Sequence, residues 1–117
     1  MIQTKADLIL VSFTEGRLLD TRIVRQTGRE LQAAVSPSLH KKVLLSFRGV
    51  SYLASTMISE LIMLNKTCNA AGVTLKFCDV SPQIMEVFKI VKLHKIIEIQ
   101  ATEDAAVKSF GKKRFLG

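Results

Sequence analysis

Residues 43–47 (VLLSF) narrow the fold more than any other segment, being strand-length and apolar at all but one position. A strand with one wet face alternates apolar and polar residues. A nearly unbroken apolar run belongs to a strand covered on both faces, as in a parallel sheet flanked by helices. Arg48-Gly49 ends the run, which makes 43–47 the expected central strand.

The neighbouring segments supply what such a sheet needs. Residues 7–13 (DLILVSF) form a β-type run, Thr14-Glu15-Gly16 a turn and 17–19 a second short run, together an expected opening hairpin. From Asp20, the expected N-cap, Ile23, Val24, Thr27, Leu31, Ala34 and Val35 share one arc of a helix that stops at Ser36-Pro37. Its other face carries Arg22, Arg25 and Arg29, either solvated or facing an acidic partner. After the central strand come a loop at 50–54, a helix over 55–69 closed by Gly72, and a strand over 73–78. Ser81-Pro82 starts a further helix, with Ser as cap and Pro at the first helical position; Ile84, Val87, Phe88 and Val91 follow as its apolar stripe. Residues 95–99 read as a last strand. Thr102-Glu103-Asp104 opens a final helix through Phe110, its acids suiting the positive end of the dipole, and Gly111 closes it.

Strands alternating with helices through short connections imply right-handed βαβ units. The expected fold is therefore α/β: one small domain, a mostly parallel mixed sheet of about five strands with four helices. The domain covers 1–110, and 111–117 is a basic tail.

Composition bounds the function. The chain has 117 residues, 48% of them hydrophobic, which suits one domain with one core. No run approaches the roughly 18 apolar residues of a membrane span, and the start lacks a secretion signal, so a cytoplasmic protein without membrane insertion is expected. Cys68 and Cys78 have no metal-site spacing and read as small buried residues. The formal charge is +7, of which Lys112, Lys113 and Arg114 supply +3. With one Tyr, no Trp and no basic patch interleaved with aromatics, nucleic acid is not the expected partner. His40 and His94 stand at no metal-ligand spacing, and no hydrolase, phosphate-loop or dinucleotide motif occurs. Neither catalysis nor a cofactor nor a metal is expected.

The chemically pointed feature is Ser55-Thr56 at a helix start. Both are good N-caps, which is one account of them. The other is modification: a phosphate on Ser55 carries roughly −1.5 to −2 charges, and a helix N-terminus accommodates it at little cost to the fold. On the helix wheel Met57, Ile58, Leu61, Ile62, Leu64 and Cys68 share the apolar arc. Thr56, Ser59, Glu60, Lys66 and Thr67 share the polar one. Met63 falls in the polar arc beside Thr56, Ser59 and Glu60, either as an ordinary exposed Met or as a partner contact. Asn65 falls in the apolar arc, as a core polar group.

Residues 43–62 (VLLSFRGVSYLASTMISELI) resemble the centre of STAS domains, found in bacterial anti-sigma factor antagonists and in cytoplasmic parts of sulfate transporters. In that family a core strand leads to a G-V-x-F-hydrophobic-D-S-S/T-G-hydrophobic loop, and here Gly49-Val50-Ser51-Tyr52-Leu53-Ala54-Ser55-Thr56-Met57-Ile58 takes its place. Ala71-Gly72-Val73 through Asp79 and Ser81-Pro82-Gln83 resemble the next strand and helix start. Ala54 replaces the usual Asp and Met57 the frequent Gly. The resemblance implies a protein-binding regulator of transcription, phosphorylated on Ser55, with Thr56 the second candidate. Its partner would be a serine kinase or anti-sigma factor, bound through Ser51, Tyr52, Ala54, Met57, Ser59 and Met63. Weak homodimerisation is a further expectation. Two other readings stand beside it: an unphosphorylated adaptor in a signalling or transport complex, favoured by Ala54, and a small-ligand-binding domain, for a small molecule or a lipid, using the apolar ends of the sheet.

Overall fold

The apolar run at 43–47 lies at the middle of the sheet. A computed structural model describes residues 2–5, 8–13, 17–18, 25–26, 29–30, 32–33 and 42–112. Along the chain these form β1 (Ile2–Lys5), β2 (Leu8–Ser12), β3 (Arg17–Leu18), β4 (Lys42–Ser46), β5 (Tyr52–Leu53), α1 (Ser55–Ala71), β6 (Thr74–Cys78) and α2 (Pro82–Ile90). A 3₁₀ turn (Leu93–Lys95), β7 (Glu98–Gln100) and α3 (Glu103–Lys112) follow. Residues 25–26, 29–30 and 32–33 are helical, within the first expected helix, and Arg25 and Arg29 are exposed. The expected turn at 14–16, the Asp20 cap, Arg22, the apolar arc of Ile23, Val24, Thr27, Leu31, Ala34 and Val35, the Ser36-Pro37 stop, His40 and residues 113–117 lie outside the described residues.

The main sheet has the order β1-β2-β4-β6-β7, with β1 antiparallel and the rest parallel. Alternate residues serve its two faces. Ile9, Val11, Val43, Leu45, Leu75 and Phe77 pack with α1 and α2, while Leu10, Leu44 and Cys78 pack with Ala106 and Phe110 of α3. The domain is thus a small α/β unit with helices on both faces of a largely parallel sheet.

Four expectations need correction. The antiparallel partner of β2 is β1, not residues 17–19; Ile2–Lys5 reaches the sheet edge across two residues, and β3 pairs in parallel with β5 in a separate ribbon. The last strand starts at Glu98, because 93–95 winds into a 3₁₀ turn that buries Leu93. In α2 only Ile84 and Phe88 are buried, and Val87 and Val91 are exposed, since nine residues lay one narrow row on the sheet. Finally, α3 continues through Gly111 to Lys112; glycine in a last turn costs about 1 kcal/mol and does not by itself end a helix.

Local signals account for the other helix boundaries. The Ser81 side chain accepts from the Ile84 amide, with Pro82 following it. Helix α1 ends at Gly72, at φ +73°, where the Val73 amide donates to the Cys68 carbonyl at 2.8 Å. A Cβ on Gly72 would meet nothing within 4 Å, so only the backbone conformation penalises a substitution.

Lys76 escaped the sequence reading. It is 1% exposed on the α3 face of the sheet, where its Nζ donates to Ser109 Oγ at 2.7 Å and pairs with Glu98 at 2.9 Å. It also lies 4.6 Å from the centre of the Phe110 ring. Ser109 Oγ in turn donates to the Ala106 carbonyl. These contacts tie α3 to β6 and β7. Partial burial alone raises the Glu98 carboxyl, but hydrogen bonds from Lys76 and Gln100 outweigh it and hold the group below the usual glutamate range.

Three outcomes follow from this packing. Gly72→Ala should lower stability by about 1 kcal/mol and Gly72→Asn by less, in urea unfolding. Lys76→Met, which keeps the stem on Phe110, should stay within about 1 kcal/mol of the natural chain, whereas Lys76→Ala should lose about 2–4 kcal/mol. A carboxyl depressed in the fold stabilises it above the unfolded pKa of about 4.3, and that contribution is lost as pH falls through the lower folded value. The fall in stability between about pH 5 and about pH 3 should therefore be shallower in Glu98→Gln; identical slopes would remove Glu98 from the acid response.

Candidate functional site

The carboxyl ends of the parallel strands carry the segment that the sequence singled out. As β4 leaves the sheet, the Phe47 amide donates to the Cys78 carbonyl at 3.0 Å, and the Val50 amide donates to the Phe47 carbonyl at 2.9 Å, closing a tight turn. Gly49 sits in it at φ +83°, a conformation that side-chain-bearing residues rarely adopt. Val50 is buried, and Leu53 and Ala54 pack against the core. The loop is therefore fastened at both ends, with Ser51 and Tyr52 exposed between.

Helix α1 begins on this fastened loop, with Ala54 as its N-cap at φ −72° and ψ 152°. Ala54 offers no side-chain hydrogen bond, and the first turn holds no acidic residue. The capping account of Ser55 and Thr56 therefore fails, because both stand inside the helix and their hydroxyls cap nothing. Both are exposed. Ser59 is exposed as well, and its hydroxyl donates to the Ser55 carbonyl at 3.4 Å, one turn back. Met63 continues this face at 56% exposure, equal to that of Tyr52.

Met57 is a correction. It is 0% exposed and belongs to the core with Leu61 and Leu64, so it cannot meet a partner directly. Its bulk holds down the helix start from beneath. Ala54 is half-buried and offers a partner little more than a methyl edge. Ser51, Tyr52, Ser55, Thr56, Ser59 and Met63 are the predicted site residues that the fold leaves accessible. Asn65 is buried in α1.

Between β5 and α2 runs a groove of about 140 Å³, lined by Ser51, Tyr52, Leu53, Gln83, Ile84 and Val87. Small-molecule sites usually measure about 300–1,000 Å³, so this one suits a single inserted side chain better than a cofactor. Sequence reasoning missed it, having assigned Val87 to the core. The apolar period does include Val87, and only the docking of α2 beside β5 shows that it lines a groove.

Among the described residues no group of three His, Cys, Asp or Glu side chains could hold a metal ion. His94 is exposed in the 3₁₀ turn, at the end of the sheet away from Ser55. Burial pushes the thiols of Cys68 and Cys78 up, to about 11 and about 12, so neither is a ready nucleophile.

Comparison with known proteins agrees with this geometry. A search of curated proteins by sequence gave no match. Solved structures share the fold. A STAS-domain anti-sigma-factor antagonist from Planctomyces limnophilus superimposes with a TM-score of 0.80 at 22% identity, covering 93% of this chain and 94% of that one. The phosphorylated Bacillus cell fate determinant SpoIIAA gives 0.72 at 16%, covering 94% and 97%. The STAS domain of a SulP transporter from Vibrio cholerae gives 0.73 at 11%, covering 98% and 89%. The family model for the STAS domain matches residues 4–106, from the first strand into the last helix, and the chain belongs to the STAS domain family.

Proposed function

We propose that this STAS domain is a cytoplasmic regulatory module that binds a serine kinase or anti-sigma factor and is released from it when Ser55 is phosphorylated. The observation that carries the reading is the state of the α1 N-terminus: two exposed hydroxyls, no side-chain cap and no acid in the first turn. A phosphate there meets the Ser55 and Thr56 amides, which precede the first intrahelical hydrogen bond, and the positive end of the helix dipole, while Met57 and Ile58 keep the turn anchored from below. The modification then alters charge on the face formed by Ser51, Tyr52, Ser59 and Met63 and leaves the core alone. SpoIIAA, which has this fold, is known in a phosphorylated form. Thr56 is the second acceptor.

A different reading, a constitutive adaptor in a signalling or transport assembly, draws on Ala54. It removes the carboxylate that the family usually places beside the acceptor, and a transporter domain shares the fold.

Mass spectrometry of the protein purified from its own cells separates the two. The switch reading expects a phosphate on Ser55, or secondarily Thr56. It further expects Ser55→Asp to bind the co-purifying kinase at least tenfold more weakly than the natural chain, with Ser55→Ala unaffected. Equal binding by Ser55→Asp, or an unmodified chain held in a stable complex, favours the adaptor.

A further inference from the structure

The opposite end of the domain carries a surface that the proposed switch does not use. Helix α2 runs from the carboxyl ends of the strands back to their amino ends, where the chain winds through 91–97 before entering β7. Hydrogen bonds from Val91 to Val87, Lys92 to Lys89, Lys95 to Lys92, and both Ile96 and Ile97 to Leu93 hold this stretch as one compact turn. Leu93 and Ile97 anchor it in the core. What it displays is unusual: Ile90 is 78% exposed, Ile96 55% and Val91 44%, interleaved with exposed Lys89, Lys92, His94 and Lys95. Lys92 sits at φ +61°, the left-handed region that non-glycine residues seldom adopt. Among the described residues no carboxylate pairs with Lys89, Lys92 or Lys95.

We propose that this end of the domain docks peripherally on an anionic lipid bilayer, with Ile90, Val91 and Ile96 entering the headgroup boundary and Lys89, Lys92 and Lys95 facing the lipid phosphates. Aliphatic side chains set among ammonium groups match both halves of such a surface. The overall charge of +7 adds attraction at longer range. Other occupants fit less well. A second copy related by a two-fold axis would bring two sets of lysines together, which like charges oppose. A protein partner usually seats its anchors in pockets; the groove at Tyr52 includes none of the three aliphatic residues, and the cavity of about 320 Å³ at Asn65 and Thr74, which Ile96 lines beside Glu98, is mostly polar and includes neither Ile90 nor Val91. The contact is superficial and requires no spanning segment; no helix among the described residues is long and apolar enough to cross a membrane.

The test is co-sedimentation of the full chain with vesicles of phosphatidylcholine alone and of phosphatidylcholine with an equal share of phosphatidylglycerol. Binding should be at least tenfold tighter to the anionic vesicles and should weaken with salt. Ile90→Ser changes no charge and removes an exposed side chain, so it separates this surface from the basic chain end. It should cut anionic binding about tenfold, and Lys92→Gln and Lys95→Gln about fivefold each. Val107→Ser, exposed on α3 and outside both surfaces, should leave vesicle binding unchanged. No preference for anionic vesicles would overturn the proposal. So would an Ile90→Ser protein that binds them as well as the natural chain, or a dimer in sedimentation velocity that Ile90→Ser dissolves. None of these outcomes bears on Ser55.

Discussion

Four phenylalanines pin the carboxyl end of the sheet. The Phe47 ring centre lies 5.2 Å from Phe13, 4.9 Å from Phe77 and 5.7 Å from Phe88, and Phe77 lies 5.8 Å from Phe88. These come from the ends of β2, β4 and β6 and from α2, so one cluster joins three strands to a helix. Tilted and edge-on aromatic pairs contribute about 0.5–1.5 kcal/mol each beyond the area they bury. Everything at the Ser55 end hangs from this cluster. The turn through Gly49 starts at Phe47, and the groove beside Tyr52 has α2 as its far wall, which Phe88 fixes.

The two faces of the sheet are held by different physics. Beneath α1 and α2 the contact is mainly apolar, with Met57, Leu61, Leu64 and Phe88 seated on Val43, Leu45 and Phe77. Beneath α3 the apolar set is smaller, and the Lys76 ion pair with Glu98 completes it. A buried lysine is tolerated only where its head finds partners and its stem finds cover, and Ser109, Glu98 and Phe110 provide both. The result is a last helix fastened by a short apolar row and one polar post beside it.

Much of this was readable in the chain. The nearly unbroken run at 43–47, the Ser81-Pro82 start and Gly72 each carry a local physical signal; the run finds the central strand to within one residue at each end, and the other two mark their helix boundaries. The wheel over α1 separated exposed Met63 from buried Asn65. Other features depend on tertiary placement, to which a local pattern is blind. Ile2–Lys5 has only four residues, and its role as the antiparallel edge arises from reaching β2 across two residues. Arg17–Leu18 looks like a hairpin strand but finds its partner 35 residues on, at Tyr52–Leu53. Lys76 looks like an outward residue of a strand until α3 covers it. Met57 shares the apolar arc of the wheel, and only the family resemblance counts it with the partner surface; its burial follows the wheel.

That inward turn bears on what modification at Ser55 can achieve. The first turn of α1 has its outward residues, Ser55, Thr56 and Ser59, on a base of fully packed Met57 and nearly buried Ile58. Charge added outside therefore has no soft core to rearrange, and a packed interior does not deform continuously. A phosphate would act by what it presents to a partner: about two negative charges beside Tyr52 and Met63, both exposed and both able to contribute apolar area to an interface. With Ala54 in the usual place of Asp, the face lacks that carboxylate, so the same added charge of about −2 would start from a face with one negative charge fewer. A switch built this way needs no moving part, only a partner whose contact surface cannot take the added charge.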